Sequence, residues 1–140
     1  MMKIIFALFT SSFIYLPSSI HAAATAVTGR VIDGDTFAAR IYLDGATVRA
    51  RIRLINVDAP DLRGACPWET KLAKLSRDRL SQLIPDGTTV RLENLKDDKY
   101  LGRVNANVIL PDGRDVGDVL VEESLAAYYN GRGPKPQWCH

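Results

Sequence analysis

The stretch from Arg51 to Asp61, with the sequence RIRLINVDAPD, is the part of the chain that decides its fold. Apolar and polar residues alternate over residues 47–57, which predicts a β-strand with Val48, Ala50, Ile52, Leu54 and Asn56 on one face. The other face carries Arg49, Arg51, Arg53, Ile55 and Val57. The strand leads into the acidic turn Asp58-Ala-Pro-Asp61. It therefore combines cations along one face with two carboxylates at its end.

Further strands are predicted before this stretch, over residues 27–32 and 36–43. They lie on either side of a second acidic turn, Asp33-Gly34-Asp35. The pair Asp44-Gly45 favours a tight hairpin between residues 36–43 and 47–57. The chain is therefore expected to open with a three-stranded meander.

The remaining pattern predicts two helices and two more strands. Pro67 suits the first turn of a helix that ends before Pro85-Asp-Gly87, with Trp68, Leu72, Leu75, Leu80 and Leu83 at roughly helical spacing. Strands are expected over residues 88–94 and 103–110, and a second helix over 116–127, with Val116, Val119, Leu120 and Leu125 inward. The tail from residue 130 is expected to be irregular. Five short strands with a helix after the third predict an α+β, mainly β fold: a five-stranded OB-fold barrel with two helices.

The N-terminus has the features of a secretory signal peptide. Lys3 precedes a short apolar run, and Ala22-Ala-Ala24 resembles a cleavage zone. An uncleaved anchor is the alternative, but the run is short for a membrane span. The expected division is a signal peptide over residues 1–24 and one domain over 25–140, exported to the periplasm or secreted.

Charge and cysteine content limit how the protein can bind nucleic acid and which state its cysteines adopt. Without residues 1–24 the formal charge would be +1, so tight binding of nucleic acid by overall charge is not expected. Cys66 and Cys139 are the only cysteines, and in an exported chain they favour a disulfide. Two free thiols remain an alternative. So does a zinc site that would draw on His140, although no C-x-x-C spacing is present.

Several catalytic classes are disfavoured by the residues that remain. His140 is the one histidine after residue 24, so a catalytic triad would need a terminal base, and no glycine-rich phosphate loop is present. Carboxylates, arginines and lysines suit metal-assisted hydrolysis of a phosphodiester with calcium or magnesium. Taken singly, the acidic stretches are also compatible with plain turns, the strand arginines with a solvated face, and Arg103 with a surface pair to Asp97 or Asp98.

Three blocks in order together resemble the thermonuclease family, the homologues of staphylococcal nuclease. They are Val31-Ile-Asp-Gly-Asp-Thr36, the segment from Arg53 to Asp61, and Asp98-Lys-Tyr-Leu-Gly-Arg103, which is followed by the helix with Val119-Leu-Val-Glu-Glu-Ser-Leu-Ala126. The resemblance runs from about Thr28 to Tyr129. It implies an OB barrel that hydrolyses DNA and RNA with calcium. Separately, we expect a monomer that has no membrane contact once the signal is removed.

The resemblance also implies roles for individual residues. Asp35, Asp58 and the backbone carbonyl of Ala59 would bind calcium. Arg53 would grip the scissile phosphate and Arg103 would stabilise charge in the transition state, while Asp61 would orient the attacking water. The residues implied beside the rest of the substrate are Lys99, Tyr100 and either Tyr128 or Tyr129.

Three departures from the family pattern matter. The family has glutamate where this chain has Asp61, which shortens the reach by about 1.5 Å, and a misplacement of about 1 Å can cost on the order of a hundredfold in rate. Leu101 is an apparent insertion between Tyr100 and Gly102. The chain also ends without the long C-terminal helix of the best-known members, so a Cys66–Cys139 disulfide is expected to hold the tail.

Two alternative functions remain. The first is a catalytically silent OB module that binds nucleic acid or protein, and the second is a purely structural barrel.

Overall fold

The computed structural model describes residues 24–140 as a closed barrel with two helices. The elements are β1 (Ala24–Asp33), β2 (Thr36–Leu43), β3 (Ala46–Leu54), β4 (Val57–Asp58), α1 (Pro67–Leu83), β5 (Thr89–Asp97), β6 (Arg103–Ile109), α2 (Val116–Glu122) and β7 (Ala127–Tyr128). The barrel order is β1-β2-β3-β6-β5, with β1 paired to β5, and β4 pairs with β7 in a separate small sheet. The predicted five-stranded barrel with two helices is confirmed. The predicted signal peptide falls almost entirely outside the described residues.

The opening meander forms as predicted. Asp44 and Gly45 both adopt positive φ angles, 47° and 79°, as a two-residue hairpin that matches the twist of its strands requires. β2 then pairs with β3 along its whole length, which places Thr36 opposite Arg53. β3 also pairs with β6 in parallel, with Arg51 opposite Arg103. The arginines of β3 and Arg103 are thus brought to the same side of the barrel wall.

The predicted strand over residues 47–57 begins where expected but is too long at its C-terminal end, and its apolar face is not buried at Val48. β3 stops at Leu54, and Asn56 follows with a left-handed φ of 64°, a conformation that asparagine tolerates better than most residues. The break redirects the chain, so Val57 is buried instead of lying on the arginine face. At the other end, Val48 is 49% exposed because residues 46–49 pair only with β2 and extend beyond the barrel.

The barrel core is built from the inward faces of the strands and the covering helices. Its largest fully buried side chains include Phe37, Ile52, Leu54, Leu80, Ile84 and Leu120. The predicted inner face of α1 is partly wrong: Trp68 and Leu75 are exposed, and the buried positions are Glu69, Ala73, Ser76 and Leu80. The helix is therefore rotated from the position that its leucines predicted, which turns a glutamate and a serine inward.

The second helix is shorter than predicted. α2 ends at Glu122 because Ser124 takes a left-handed φ of 60°, and Leu125 packs against the core from outside the helix. None of the helices within residues 24–140 is both long enough and apolar enough to cross a bilayer.

A disulfide joins Cys66 and Cys139, across 73 positions of sequence. This confirms the predicted bridge, so the free thiols and the zinc site are wrong. Cys66 precedes α1 directly, and Cys139 is the second-last residue. The C-terminal tail is therefore attached to the loop that follows Asp61.

Candidate active site

A cleft of about 710 Å³ opens beside β3 and β6. The acidic turn before β2, the segment after β3, the β5–β6 loop and the tail all contribute to it. Its lining residues are Asp33, Asp35, Thr36, Arg53, Ile55, Asn56, Asp58, Ala59, Pro60, Asp61, Lys96, Asp98, Lys99, Tyr100, Arg103, Asn105, Tyr129, Asn130, Gly131 and Lys135. The three blocks of sequence therefore meet in one place.

Asp35 is a buried carboxylate with fixed orientation. One oxygen, Oδ1, accepts a hydrogen bond from the Thr36 hydroxyl at 2.9 Å, and the other, Oδ2, accepts from the backbone N–H of Ala59 at 3.0 Å. The backbone N–H of Leu54 donates to the carbonyl of Asp35. These bonds join the acidic turn before β2 to the segment that carries Asp58.

Gly34 is required for this close approach. A Cβ atom at Gly34 would lie 2.8 Å from the Ala59 Cβ and would overlap the Ser76 hydroxyl of α1. The turn, the helix and the Ala59 segment are packed so closely that only glycine fits between them.

Arg53 lies between the two buried carboxylates. Its Nη2 is 3.2 Å from Asp58 Oδ1 and 3.5 Å from Asp35 Oδ2. Its Nη1 donates to the carbonyls of Leu54 and Val57 at 2.9 and 3.2 Å. An arginine has five N–H donors, so donors on Nε and Nη2 are left for a ligand. The guanidinium is held in place before any ligand arrives.

The carboxyl groups of the cleft affect each other's protonation. Burial, reinforced by the charge of nearby Asp35, raises the pKa of Asp33 to about 6. Burial also raises the pKa of Asp58, and the positive charges of Lys135 and Arg53 act against that rise. A cation among these groups would offset the repulsion that they exert on one another.

Arg103 is fixed in a similar way from the neighbouring strand. Its Nε and Nη2 donate to the two oxygens of Asp98 at 3.0 and 3.1 Å, and its guanidinium lies 4.4 Å from the Tyr100 ring centroid. Burial raises the pKa of Asp98, but hydrogen bonds from Arg103 and from the Tyr100 N–H outweigh burial and hold this pKa below its usual value. A surface ion pair between Arg103 and Asp98 is one of the alternatives that the sequence allows. The structure contains this ion pair, and Arg103 also lines the cleft.

The β5–β6 loop accommodates the extra residue without moving its neighbours out of the cleft. Leu101 is fully exposed to solvent, and Gly102 follows with a φ of 75°. Lys99 and Tyr100 both line the cleft, with the Lys99 ammonium 5.3 Å from the Tyr100 ring centroid. Of the two tyrosines predicted to lie beside the substrate, Tyr129 lines the cleft. Tyr128 is exposed and donates its hydroxyl to Asp118 instead.

Asp61 lies in the cleft but is exposed and engaged in a local turn. Its Oδ1 accepts from the Arg63 N–H at 2.8 Å. Its own N–H donates to Glu69 Oε2 at 3.0 Å, and Glu69 Oε1 accepts from the Ala65 N–H at 3.3 Å. Glu69, on α1, thus holds the loop that presents Asp61. The sequence pattern does not predict this contact, because it depends on how α1 is rotated against the loop.

The donor set at the centre of the cleft fits a hard cation in part. Asp35 and Asp58 offer buried carboxylate oxygens, and Ala59 lies beside them with a backbone carbonyl, which are ligand types that calcium accepts. Within the described chain, no group of three or more His, Cys, Asp or Glu side chains is arranged to hold a metal by itself. Ligands from the backbone, from water or from a substrate phosphate would have to complete the coordination.

The fold and the cleft together define a class of protein: an OB barrel whose outer wall carries two buried carboxylates in contact with Arg53, with Arg103 anchored on the adjacent strand. The family model described as staphylococcal nuclease homologue matches residues 51–137, more than half of the chain. The chain belongs to this family, whose members are generally nucleases and in general depend on a metal. The match starts after the first block and extends past Tyr129 into the tail. No curated protein sequence matches the chain.

Proposed function

We propose that the protein is an exported, calcium-dependent endonuclease that hydrolyses DNA and RNA with little sequence preference. One observation carries the proposal: the cleft holds buried Asp35 and Asp58 in ion-pair contact with Arg53, with Arg103 on the adjacent strand. Cations and carboxylates in fixed positions suit a reaction in which negative charge increases on a phosphate.

The two arginines would hold the phosphate. Arg53 keeps unoccupied donors on Nε and Nη2, and Arg103 keeps both Nη1 donors and one on Nη2, since Asp98 takes only two of its N–H groups. Planar guanidinium groups match the geometry of phosphate oxygens and retain their charge at any relevant pH. Because both side chains are already anchored, little side-chain conformational entropy is lost when substrate binds.

Calcium, held by Asp35, Asp58 and the Ala59 carbonyl, would supply positive charge beside the phosphate. Asp61 is the exposed carboxylate of the cleft, and its second oxygen, Oδ2, would accept a proton from the attacking water. For that role the carboxylate has to keep its position, which Glu69 supports through the Asp61 N–H.

The aromatic and basic rim supports a polynucleotide substrate. Tyr100 and Tyr129 line the cleft, and Lys99 lies beside the Tyr100 ring. Aromatic rings stack on any base, and lysines bind backbone phosphate, so neither would select a sequence or a sugar. Export is proposed from the N-terminal pattern, and the Cys66–Cys139 bridge is consistent with an oxidising compartment.

Digestion of DNA tests the proposal directly. Residues 25–140 are incubated with single- and double-stranded DNA, in calcium or in a calcium chelator. Fragmentation in calcium that stops in chelator is expected. If micromolar protein gives no calcium-stimulated cleavage of either substrate, the proposal is wrong.

A second candidate is a catalytically silent OB module that binds nucleic acid or protein. Asp61 favours it, because the shorter carboxylate is exposed and one of its oxygens is occupied by the Arg63 N–H. Asp61→Glu separates the two functions, since a restored reach cannot create activity in a site that lacks the other groups. If both forms bind oligonucleotide without cutting it, the binding module is correct.

A further inference from the structure

The C-terminal tail segment, residues 129–139, closes one side of the cleft. At its start, the Tyr129 N–H donates to the Asn56 carbonyl at 2.9 Å, which attaches the tail to the turn after β3. At its end, Cys139 is bonded to Cys66. Between these two fixed points, Asn130, Gly131 and Lys135 line the cleft. The tail therefore belongs to the site wall.

Lys135 brings a positive charge to the centre of this site. Its Nζ lies 3.8 Å from Asp58 Oδ1, the same oxygen that Arg53 contacts at 3.2 Å. The Lys135 side chain is 67% exposed, so its ammonium keeps donors directed to solvent. A lysine fixed at a cleft that already carries Arg53, Arg103 and Lys99 is suited to a further backbone phosphate.

We propose that Lys135 is a substrate-binding residue that contacts a phosphate next to the scissile one, and that the Cys66–Cys139 disulfide is the device that holds it there. The proposal rests on the function proposed above for the nature of its substrate. It assigns the disulfide a role in substrate binding in addition to its role in stability. The tail segment has no regular secondary structure, and the bridge is its covalent attachment on the far side of Lys135 from Tyr129.

Binding and cleavage are measured separately. Affinity for a short phosphorothioate oligothymidylate, which resists cleavage, is read by fluorescence anisotropy in calcium over a series of salt concentrations. KM and kcat are measured with ordinary DNA. The variants are Lys135→Ala, Lys135→Arg and Cys139→Ser. The matched control is Arg132→Ala, an exposed cation of the same tail that does not line the cleft.

Lys135→Ala is expected to weaken oligonucleotide binding about two- to fivefold, the range of an exposed ion pair. It should raise KM by a similar factor with kcat nearly unchanged. The slope of log affinity against log salt should fall by about 0.7, the loss of one phosphate contact on a single strand. Lys135→Arg should restore both quantities, and Arg132→Ala should alter neither.

Cys139→Ser should reproduce the loss seen for Lys135→Ala, and adding Lys135→Ala to it should cause little further change. An unaltered affinity and salt slope in Lys135→Ala would overturn the proposal. So would faster cleavage at low calcium in Lys135→Ala, because Lys135 would then compete with the cation at Asp58. The Lys135 variants keep the disulfide, so they decide the role of Lys135 even if Cys139→Ser folds poorly. Wild-type affinity and salt slope in Cys139→Ser, or in reduced wild-type protein, would overturn the role of the disulfide. If wild-type protein binds the oligonucleotide but cuts no DNA, the proposed nuclease function is wrong. The affinity and salt slope of Lys135→Ala then still test whether Lys135 binds phosphate.

Discussion

At the scale of single residues, Arg53 shows why spacing along the chain predicted this cleft. Asp58 follows Arg53 by five positions, across a break at Asn56, and both groups face the same space. Asp35 joins them because β2 begins beside the end of β3. The spacing of the motifs was therefore enough to predict that these three side chains meet. It did not reveal Glu69 or Lys135, because their positions depend on the rotation of α1 and on the path of the tail, neither of which leaves a local sequence pattern.

Asp61 is the residue whose length should limit the rate. Asp61→Glu extends the carboxylate by one methylene towards the cleft, and we expect kcat to rise about ten- to a hundredfold, because correct placement within about 1 Å carries a gain of that size. The measurement is single-turnover cleavage of DNA in calcium. Asp78→Glu, at an exposed position of α1, is the control and should be neutral. An active wild type that gains nothing from Asp61→Glu would contradict this account of Asp61.

Ser76 offers a test of stability inside the site wall. Its hydroxyl is fully buried and has no hydrogen-bond partner among the residues that the structure describes. Ser76→Ala should raise the free energy of unfolding by about 1 kcal/mol, because it removes an unsatisfied polar group. Urea denaturation measures this change. Ser81→Ala is the control: Ser81 is exposed and donates to the Arg77 carbonyl, so its loss should be near neutral. A destabilised Ser76→Ala would mean that the hydroxyl has a partner, such as a bound water.

At the scale of elements, the strands were predicted better than the helices. The Asp44-Gly45 hairpin and the alternation in β2 and β3 depend on neighbours in sequence, and their positions were correct within a few residues. α1 was correct in extent but rotated, because its leucines suggested one face whereas the tight packing at Gly34 placed Ser76 against the barrel. Contacts between distant elements decided that rotation.

The Cys66–Cys139 disulfide connects two distant segments, and its effect on the free energy of unfolding can be measured directly. Cys139→Ser should lower the free energy of unfolding by about 2–4 kcal/mol, because a bridge across a long loop restricts the unfolded chain. Urea denaturation of the variant should match that of reduced wild-type protein. If wild-type protein unfolds at the same urea concentration whether reduced or oxidised, the bridge contributes nothing to stability.

At the scale of the whole molecule, the net charge is small and the positive charge relevant to substrate binding is concentrated in the cleft. The domain over residues 25–140 has a formal charge of only +1, yet five cations line one cleft: Arg53, Lys96, Lys99, Arg103 and Lys135. Substrate attraction should therefore come from a few phosphate contacts. The two cysteines, far apart in sequence, were the signal that predicted how the C-terminal tail is attached beside that cleft.

A small number of contacts predicts a shallow salt dependence. Five cations, each contributing about 0.7 on a single strand, give a slope of about −3.5 for log affinity against log salt. Anisotropy with the phosphorothioate oligothymidylate in calcium measures this slope. A slope near zero would show that phosphate contacts contribute little, and a slope much steeper than about −3.5 would show that cations outside the cleft take part.

The most direct test of the central claim compares two arginines of β3 in the same cleavage assay. Arg53 contacts both buried carboxylates, whereas Arg49 lies four residues earlier on the same strand and is exposed. The account predicts that Arg53→Ala lowers the calcium-stimulated rate by about a hundred- to a thousandfold, as for a group that stabilises charge in the transition state, and that Arg49→Ala stays within about twofold of wild type. Equal rates for the two variants would contradict it.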